Sequence, residues 1–312
     1  MCGIAGLIHR NGKSADIGAE MTSMLQALKH RGPDSTGFAV YGVPDDDYLV
    51  MRFKVAEQED LVKGLAIHEE VKRRRKEVDQ RLEALGVAIA STDDATEYAF
   101  RYVMKYDGDL KKLAQHVEDV PGAEILSLGR GLELIKDLGD AGTVAGQYGL
   151  GKFRGTHGIG HTRMATESAV DIRSAHPYWA YPYSDISVVH NGQLTNYWTK
   201  RRELERKGQR FMSNCDSELL AVYTADKLEN GYSLEDSLRQ SVEELDGVFT
   251  YLVATADSLG MAKDVMAAKP MVLYESDDAV ALASEEIAIR RIFPQEIDTF
   301  DPYDGEVRVW QA

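Results

Sequence analysis

Met1–Cys2–Gly3–Ile4–Ala5–Gly6–Leu7–Ile8–His9 opens the chain. Gly3 to His9 is small and apolar up to its last residue, and reads as a short buried strand that begins at the N-terminus. Cys2 directly follows the initiator methionine, and a side chain as small as cysteine favours removal of Met1. The amine then left on Cys2 would have a pKa near ~7.7–8.0, against ~8.5 for its thiol. That amine can take the thiol proton close to neutral pH, directly or through water. One residue thus supplies nucleophile and base, with no histidine needed. Alone, such a cysteine is only a small residue at a chain end, so the rest of the sequence has to decide.

Four further segments form a set with 1–6: His-Arg-Gly-Pro-Asp-Ser-Thr-Gly (30–37), Gly-His-Thr-Arg-Met-Ala-Thr (160–166), His-Asn-Gly-Gln-Leu-Thr-Asn (190–196) and Asn-Cys-Asp-Ser-Glu (214–218). In order and content they resemble the class II glutamine amidotransferases. The resemblance covers nearly everything outside about 56–147. It extends to Ala262-Lys263-Asp264 with Lys269-Pro270, where that family usually carries arginines, and to Ala283-Ser284-Glu285. It implies an α+β fold, the four-layer αββα sandwich of the N-terminal nucleophile hydrolases. Two mainly antiparallel sheets would stack, with an inserted α/β lobe at about 56–147 in a single 1–312 amidotransferase domain.

The same resemblance implies roles. Cys2 would attack the side-chain amide of glutamine and form a γ-glutamyl thioester. Asn191 and Gly192 would supply a side-chain amide and a backbone N–H to the oxyanion; alone, Asn-Gly is simply a hairpin turn. Arg163 can hold the α-carboxylate through two parallel hydrogen bonds, and Thr166 can add a hydroxyl there. Asp216 would pair with the α-ammonium, although it also stands where a helix begins and Asp favours that place. Arg31 and Gly32 would shape the pocket beside Cys2. Ser217 and Glu218 are expected to serve the helix start. His161, His176 and His190 read as structural, Cys215 as a packing residue, and no metal-type spacing stands out. Met164 occupies a position where relatives usually have an aromatic that helps close a loop over glutamine.

Between the motifs, helices are expected at about 18–30, 56–92, 95–105, 109–117, 132–138, 194–207, 216–229 and 234–245. The 56–92 stretch carries Leu61, Leu65, Ile67, Val71, Val78, Leu82 and Leu85, and Gly86 would stop it. Strands are expected at 87–90, 123–128, 185–190, 248–254, 265–268, 271–274, 280–283 and 306–310. Ser233 and Asp236 form a capping-box pattern.

Of 312 residues, 44% are hydrophobic, which suits a globular chain. Lys and Arg number 36 and Asp and Glu 51, for a net charge of −15. So acidic a chain has no net field to hold nucleic acid. The run Lys72-Arg73-Arg74-Arg75-Lys76 lies among acidic residues and reads as a solvated helix face. No apolar run is long enough to span a bilayer, and the two cysteines suit a reducing, cytoplasmic compartment.

Released ammonia needs an acceptor, yet no dinucleotide fingerprint, phosphate loop or phosphoribosyl-pyrophosphate loop is apparent. Glu124-Ile-Leu-Ser-Leu-Gly-Arg130, Leu134-Ile-Lys-Asp-Leu-Gly-Asp140 and His161-Thr-Arg-Met-Ala-Thr-Glu-Ser168 resemble the stand-alone amidotransferase subunits of glutamate synthase and N-methylglutamate synthase type. That resemblance implies an FMN-binding synthase subunit and a β-helix subunit as partners. No cofactor is expected on this chain; FMN, with an iron–sulfur centre or another flavin, would sit on the partners. A stand-alone γ-glutamyl amide hydrolase and a non-catalytic regulatory subunit that keeps the fold are the two alternatives.

Overall fold

The computed structural model describes residues 2–57, 60, 65–164 and 171–312. Met1, Thr166 and the Leu61 part of the expected 56–92 helix lie outside them. Gly3–His9 forms β1, buried along its whole length. Its side chains alternate as a strand requires. Ile4 and Ile8 enter one core, while Ala5 and Leu7 enter another with Met21, Met24 and Leu25 of α1 (Ile17–Ala27).

β1 sits inside a six-stranded sheet whose order is β13 (Val272–Glu275), β14 (Ala279–Ala283), β1, β8 (His157–Arg163), β2 (Ser35–Tyr41) and β7 (Leu132–Leu138). A second sheet runs β15 (Val307–Gln311), β12 (Ser258–Lys263), β11 (Gly247–Ala254), β10 (Ser187–Leu194) and β9 (Tyr178–Trp179). Every ladder among the described residues is antiparallel.

The second sheet also has two kinds of face. Val189, Leu252 and Ala254 meet Ile4 and Ile8 between the sheets. Val188, Tyr251 and Val253 pack on the other side with Leu219, Leu220 and Val222 of α6 (Asp216–Glu229) and Leu238 of α7 (Leu234–Glu244). The layers are therefore α/β/β/α. At Gly6 a Cβ would lie 2.9 Å from Leu252 Cδ1, so the two sheets are closely packed there and a side chain would have to push the Leu252 tip aside. Tyr41 crosses the gap and donates to Ala254 O at 2.8 Å, with Ser187 Oγ at 2.7 Å. The Ser233 cap of α7 forms as the sequence suggested. No helix among the described residues is long and apolar enough to cross a membrane.

The inserted lobe has its own sheet, in the order β4 (Ala88–Asp94), β5 (Ala99–Lys105), β3 (Leu49–Lys54) and β6 (Glu124–Gly129). Val71, Val78 and Leu82 of α2 (Leu65–Ala84) and Leu113 and Val117 of α3 (Leu110–Glu118) share its core. Its limits differ from 56–147. β3 belongs to it, whereas 132–147 belong to the main body, where α4 (Ala141–Gln147) packs beside α1. Tyr41 and Leu132 are register partners in β2 and β7, so the lobe departs and returns at facing residues.

Two expected helices are strands. In β5, Phe100, Tyr102 and Met104 are buried at every second position. In β7 the alternation is masked by buried charge: Glu133 accepts from Arg52 Nε and Arg101 Nη2 at 2.8 and 2.7 Å, and Lys136 Nζ donates to Ala175 O at 3.0 Å. The expected strand at 265–268 is a turn, with Val265 and Met266 exposed, and the strand falls at β12 instead. Of the basic run on α2, Arg74 donates to Val55 O and Arg75 lies 4.3 Å over the Phe100 ring.

Candidate active site

Cys2 stands just before β1, half-buried and with a free thiol. Its carbonyl accepts from Arg31 Nε at 3.0 Å. Arg31 is buried and donates through Nη1 to Glu285 at 2.6 Å, while His30 Nε2 lies 3.0 Å from the same carboxylate. Burial would raise the Glu285 carboxyl, but Arg31 and His30 outweigh it and hold it below the usual range. Ser284 closes the other side: its Oγ accepts from Ile4 N at 3.0 Å and its N–H donates to Ile4 O at 2.9 Å. The 30–37 and 283–285 segments therefore meet around the start of β1.

Thr162 on β8 faces Gly3 on β1, so one step further along the register sets Arg163 across from Cys2. Arg163 is buried. Gly32 is what lets the 30–34 turn lie against it, because a Cβ there would stand 2.4 Å from the Arg163 carbonyl carbon. Asp34 N donates to Arg163 O at 3.1 Å. Ile4 and Ile159 face the second sheet; by the two-residue period, so do Cys2 and Arg163.

On β10, Val189 faces the first sheet, and Asn191 shares that face. Asn191 is buried, and its Nδ2 has no acceptor among the described residues. Gly192 has φ 153°, and a Cβ on it would sit 2.2 Å from Val248 O. The Leu194 N–H, on the same strand edge as that of Gly192, donates to Asp216 Oδ2 at 2.9 Å. Asp216 begins α6 but is not its cap; Cys215 holds that position without a side-chain cap bond. Burial would raise the Asp216 carboxyl, yet His190 and the Leu194 N–H outweigh it and hold it below the ordinary range. One end of the two sheets therefore gathers a thiol, a buried guanidinium, an amide donor, a glycine and an ionised carboxylate. Thr166 lies outside the described residues.

Two residues do something the sequence did not suggest. Ser217 does not serve the helix start; its Oγ lies 2.5 Å from His176 Nε2 and 3.0 Å from His190 Nδ1. Glu218 reaches back to accept from Met212 N at 2.6 Å and Ser213 N at 2.7 Å, which holds the preceding loop. Burial lowers His161 to about 3 and takes His176 well below its ordinary value, so both are neutral near pH 7. Burial also pushes the Cys215 thiol up, which suits packing rather than reactivity. Lys263, in place of the expected arginine, donates to Pro302 O at 3.1 Å. Met164 is partly exposed beside Arg163. Among the described residues no group of His, Cys, Asp or Glu could hold a metal ion.

Residues 161–291 match the family described as glutamine amidotransferase domain. A protein of Methanothermobacter thermautotrophicus, provisionally named a glutamine amidotransferase, is 41% identical over 100% of both chains. GlxB of Rhizobium meliloti, named glutamine amidotransferase-like, is 34% identical over 93% of this chain and 91% of its own length. Among solved structures, the glutamine phosphoribosylpyrophosphate amidotransferase of B. subtilis superposes with a TM-score of 0.60 at 17% identity, over 99% of this chain and 47% of that one. At that identity the likeness shows the fold.

Proposed function

The chain belongs to the class II glutamine amidotransferases, and from that premise we propose that it hydrolyses glutamine at Cys2 and passes the ammonia to a partner subunit. The observation that carries this reading is the convergence of Cys2, Arg163, Asn191 and Asp216 at one end of the paired sheets. Arg163 and Asp216 have opposite charges that match the α-carboxylate and α-ammonium of a free amino acid.

With Met1 removed, the Cys2 amine takes the thiol proton and the sulfur attacks the side-chain amide carbon. The oxygen gains negative charge, which the Asn191 amide and the Gly192 N–H receive. Such donors are each worth about 2.7–4 kcal/mol of barrier. The C–N bond breaks, the Cys2 ammonium gives its proton to the leaving nitrogen, and ammonia departs from a γ-glutamyl thioester. Water then attacks the thioester, the amine again moving the proton, and glutamate leaves.

The finer assignment is to a complex of the glutamate synthase or N-methylglutamate synthase type. An FMN-binding synthase subunit would receive the ammonia and a β-helix subunit would complete the assembly, with any iron–sulfur or further flavin centre on those chains. The sequence segments at 124–140 and 161–168 support it. The test is glutamate release from glutamine by the purified chain, with an intact mass to establish whether Met1 is gone. Slow release that a synthase subunit accelerates is expected. A processed chain that ignores glutamine but cleaves other γ-glutamyl amides at full rate alone would overturn the ammonia-supplying role.

A further inference from the structure

Three elements carry the groups that would touch glutamine: β8 with Arg163, β10 with Asn191 and Gly192, and α6 with Asp216. Next to these groups lies a buried cluster with one member from each element: His161, His190 and Ser217, joined by His176. All four are buried, Ser217 and His161 at 1% exposure each. Resting on the amidotransferase reading above, we infer that Ser217 is a positioning residue, held by His176 and His190, that fixes the Asp216 carboxylate relative to Gly192 and so sets recognition of the substrate's α-ammonium.

A serine hydroxyl has one proton to give and two lone pairs. His176 Nε2 lies 2.5 Å from Ser217 Oγ and His190 Nδ1 lies 3.0 Å from it. The third neighbour is Asp216 Oδ1, at 3.5 Å. Only the two imidazole contacts have ordinary hydrogen-bond length, and His190 Nδ1 itself lies 3.6 Å from Asp216 Oδ1, so Ser217 acts on the carboxylate chiefly by holding His190 and the first turn of α6.

The geometry then ties α6 to β10 twice. Asp216 Oδ2 accepts from Leu194 N at 2.9 Å, and Ser217 is bound to His190. Leu194 and His190 flank Gly192 on the same strand edge. The carboxylate meant for one end of glutamine is thereby registered against the N–H meant for the other. A third tie runs to β8, because His176 stacks on His161 with ring centroids 4.1 Å apart. His161 stands two residues before Arg163 and shares its face. Burial keeps His161 and His176 uncharged at neutral pH, so these two rings hold position without adding cations beside the substrate ammonium.

The test compares glutamate with glutarate, which lacks the α-ammonium, as competitive inhibitors of glutamine hydrolysis. The wild-type chain should favour glutamate. Ser217→Ala should reduce that preference at least tenfold and raise the KM for glutamine by a similar factor, while kcat stays within about threefold. Ser217→Thr, which keeps the hydroxyl, should retain the preference. If Ser217→Ala does not fold, His176→Phe keeps the stacked ring but removes one hydrogen-bond partner of Ser217, and should weaken the preference in the same direction. An unchanged preference in Ser217→Ala, or its loss in Ser217→Thr as well, would overturn the positioning role. A processed wild-type chain that releases no glutamate would instead remove the amidotransferase reading beneath it.

Discussion

Gly192 admits no side chain, since its φ of 153° is costly for any residue with a Cβ and Val248 O already occupies that space. Gly192→Ala should therefore displace the N–H aimed at the oxyanion. Asn191→Ala removes the second donor without touching the backbone. Each should lower kcat about 10²–10³-fold, and for Asn191→Ala the KM should barely move; steady-state kinetics on glutamine will show this. Cys2→Ala should abolish turnover yet still bind glutamine in calorimetry, and persistent glutamate release would sink the thioester route. Arg163→Lys keeps the charge but loses two parallel N–H bonds, so a raised KM with little change in kcat is expected. Cys2, Arg163, Asn191, Gly192 and Asp216 could be singled out in the sequence only as a set, through the motifs that resemble the family, since each alone reads as a chain end, a surface residue, a turn or a helix start. Ser217 could not be, because a serine in a first helical turn reads as a helix starter. Its actual partners lie 41 and 27 residues away.

At the scale of the element, a short continuous apolar run revealed β1 and β11 but not β7. A strand buried on both faces reads as an apolar run, and β7 breaks its run by taking Glu133 and Lys136 inside, with partners supplied by distant segments. Those partners also bind the lobe to the body. Burial would raise Glu133, but Arg52 and Arg101 outweigh it and hold it ionised. Asp185, a non-glycine residue at φ 56°, fixes the link from β6 to β7. Its carboxylate accepts from Arg130 N at 2.9 Å, Gly131 N at 2.9 Å and Leu132 N at 2.8 Å. No local pattern announces this, because the acceptor stands more than fifty residues from its donors. Asp185→Ala would strip three donors of their acceptor at once. Unsatisfied buried groups cost about 1–3 kcal/mol each, so a loss of roughly 3 kcal/mol or more is expected in urea unfolding. A change under about 1 kcal/mol would show that the link does not depend on Asp185.

Across the whole molecule, buried imidazoles set the response to acid. Burial lowers His157 to about 4 and His161 to about 3, and takes His176 well below its usual value. An unfolded histidine titrates near ~6.5. Below that pH the unfolded chain binds protons that the folded chain refuses, so stability falls as the pH drops. Each histidine contributes a loss of roughly 2 kcal/mol between pH 7 and 5. Glu118, which burial raises to about 8, and Glu218, which burial also raises, act in the opposite sense across the same range, but they are two carboxyls against three imidazoles. Thermal melts should therefore show a falling Tm from pH 7 to 5, and a level or rising Tm would contradict the burial of these rings. The four layers were legible through the motifs alone; the lobe's limits were not, because a strand on each side of its boundary looks alike in sequence. The lobe hangs from Tyr41 and Leu132, two residues that face each other in one ladder, and Gly42 N already donates to Gly131 O at 2.9 Å just beyond them. A segment tethered at such neighbouring points can be gained or lost in a single genetic event, with a tight hairpin closing the wound. The sandwich can thus acquire a new ancestry at one corner while its chemistry descends unchanged.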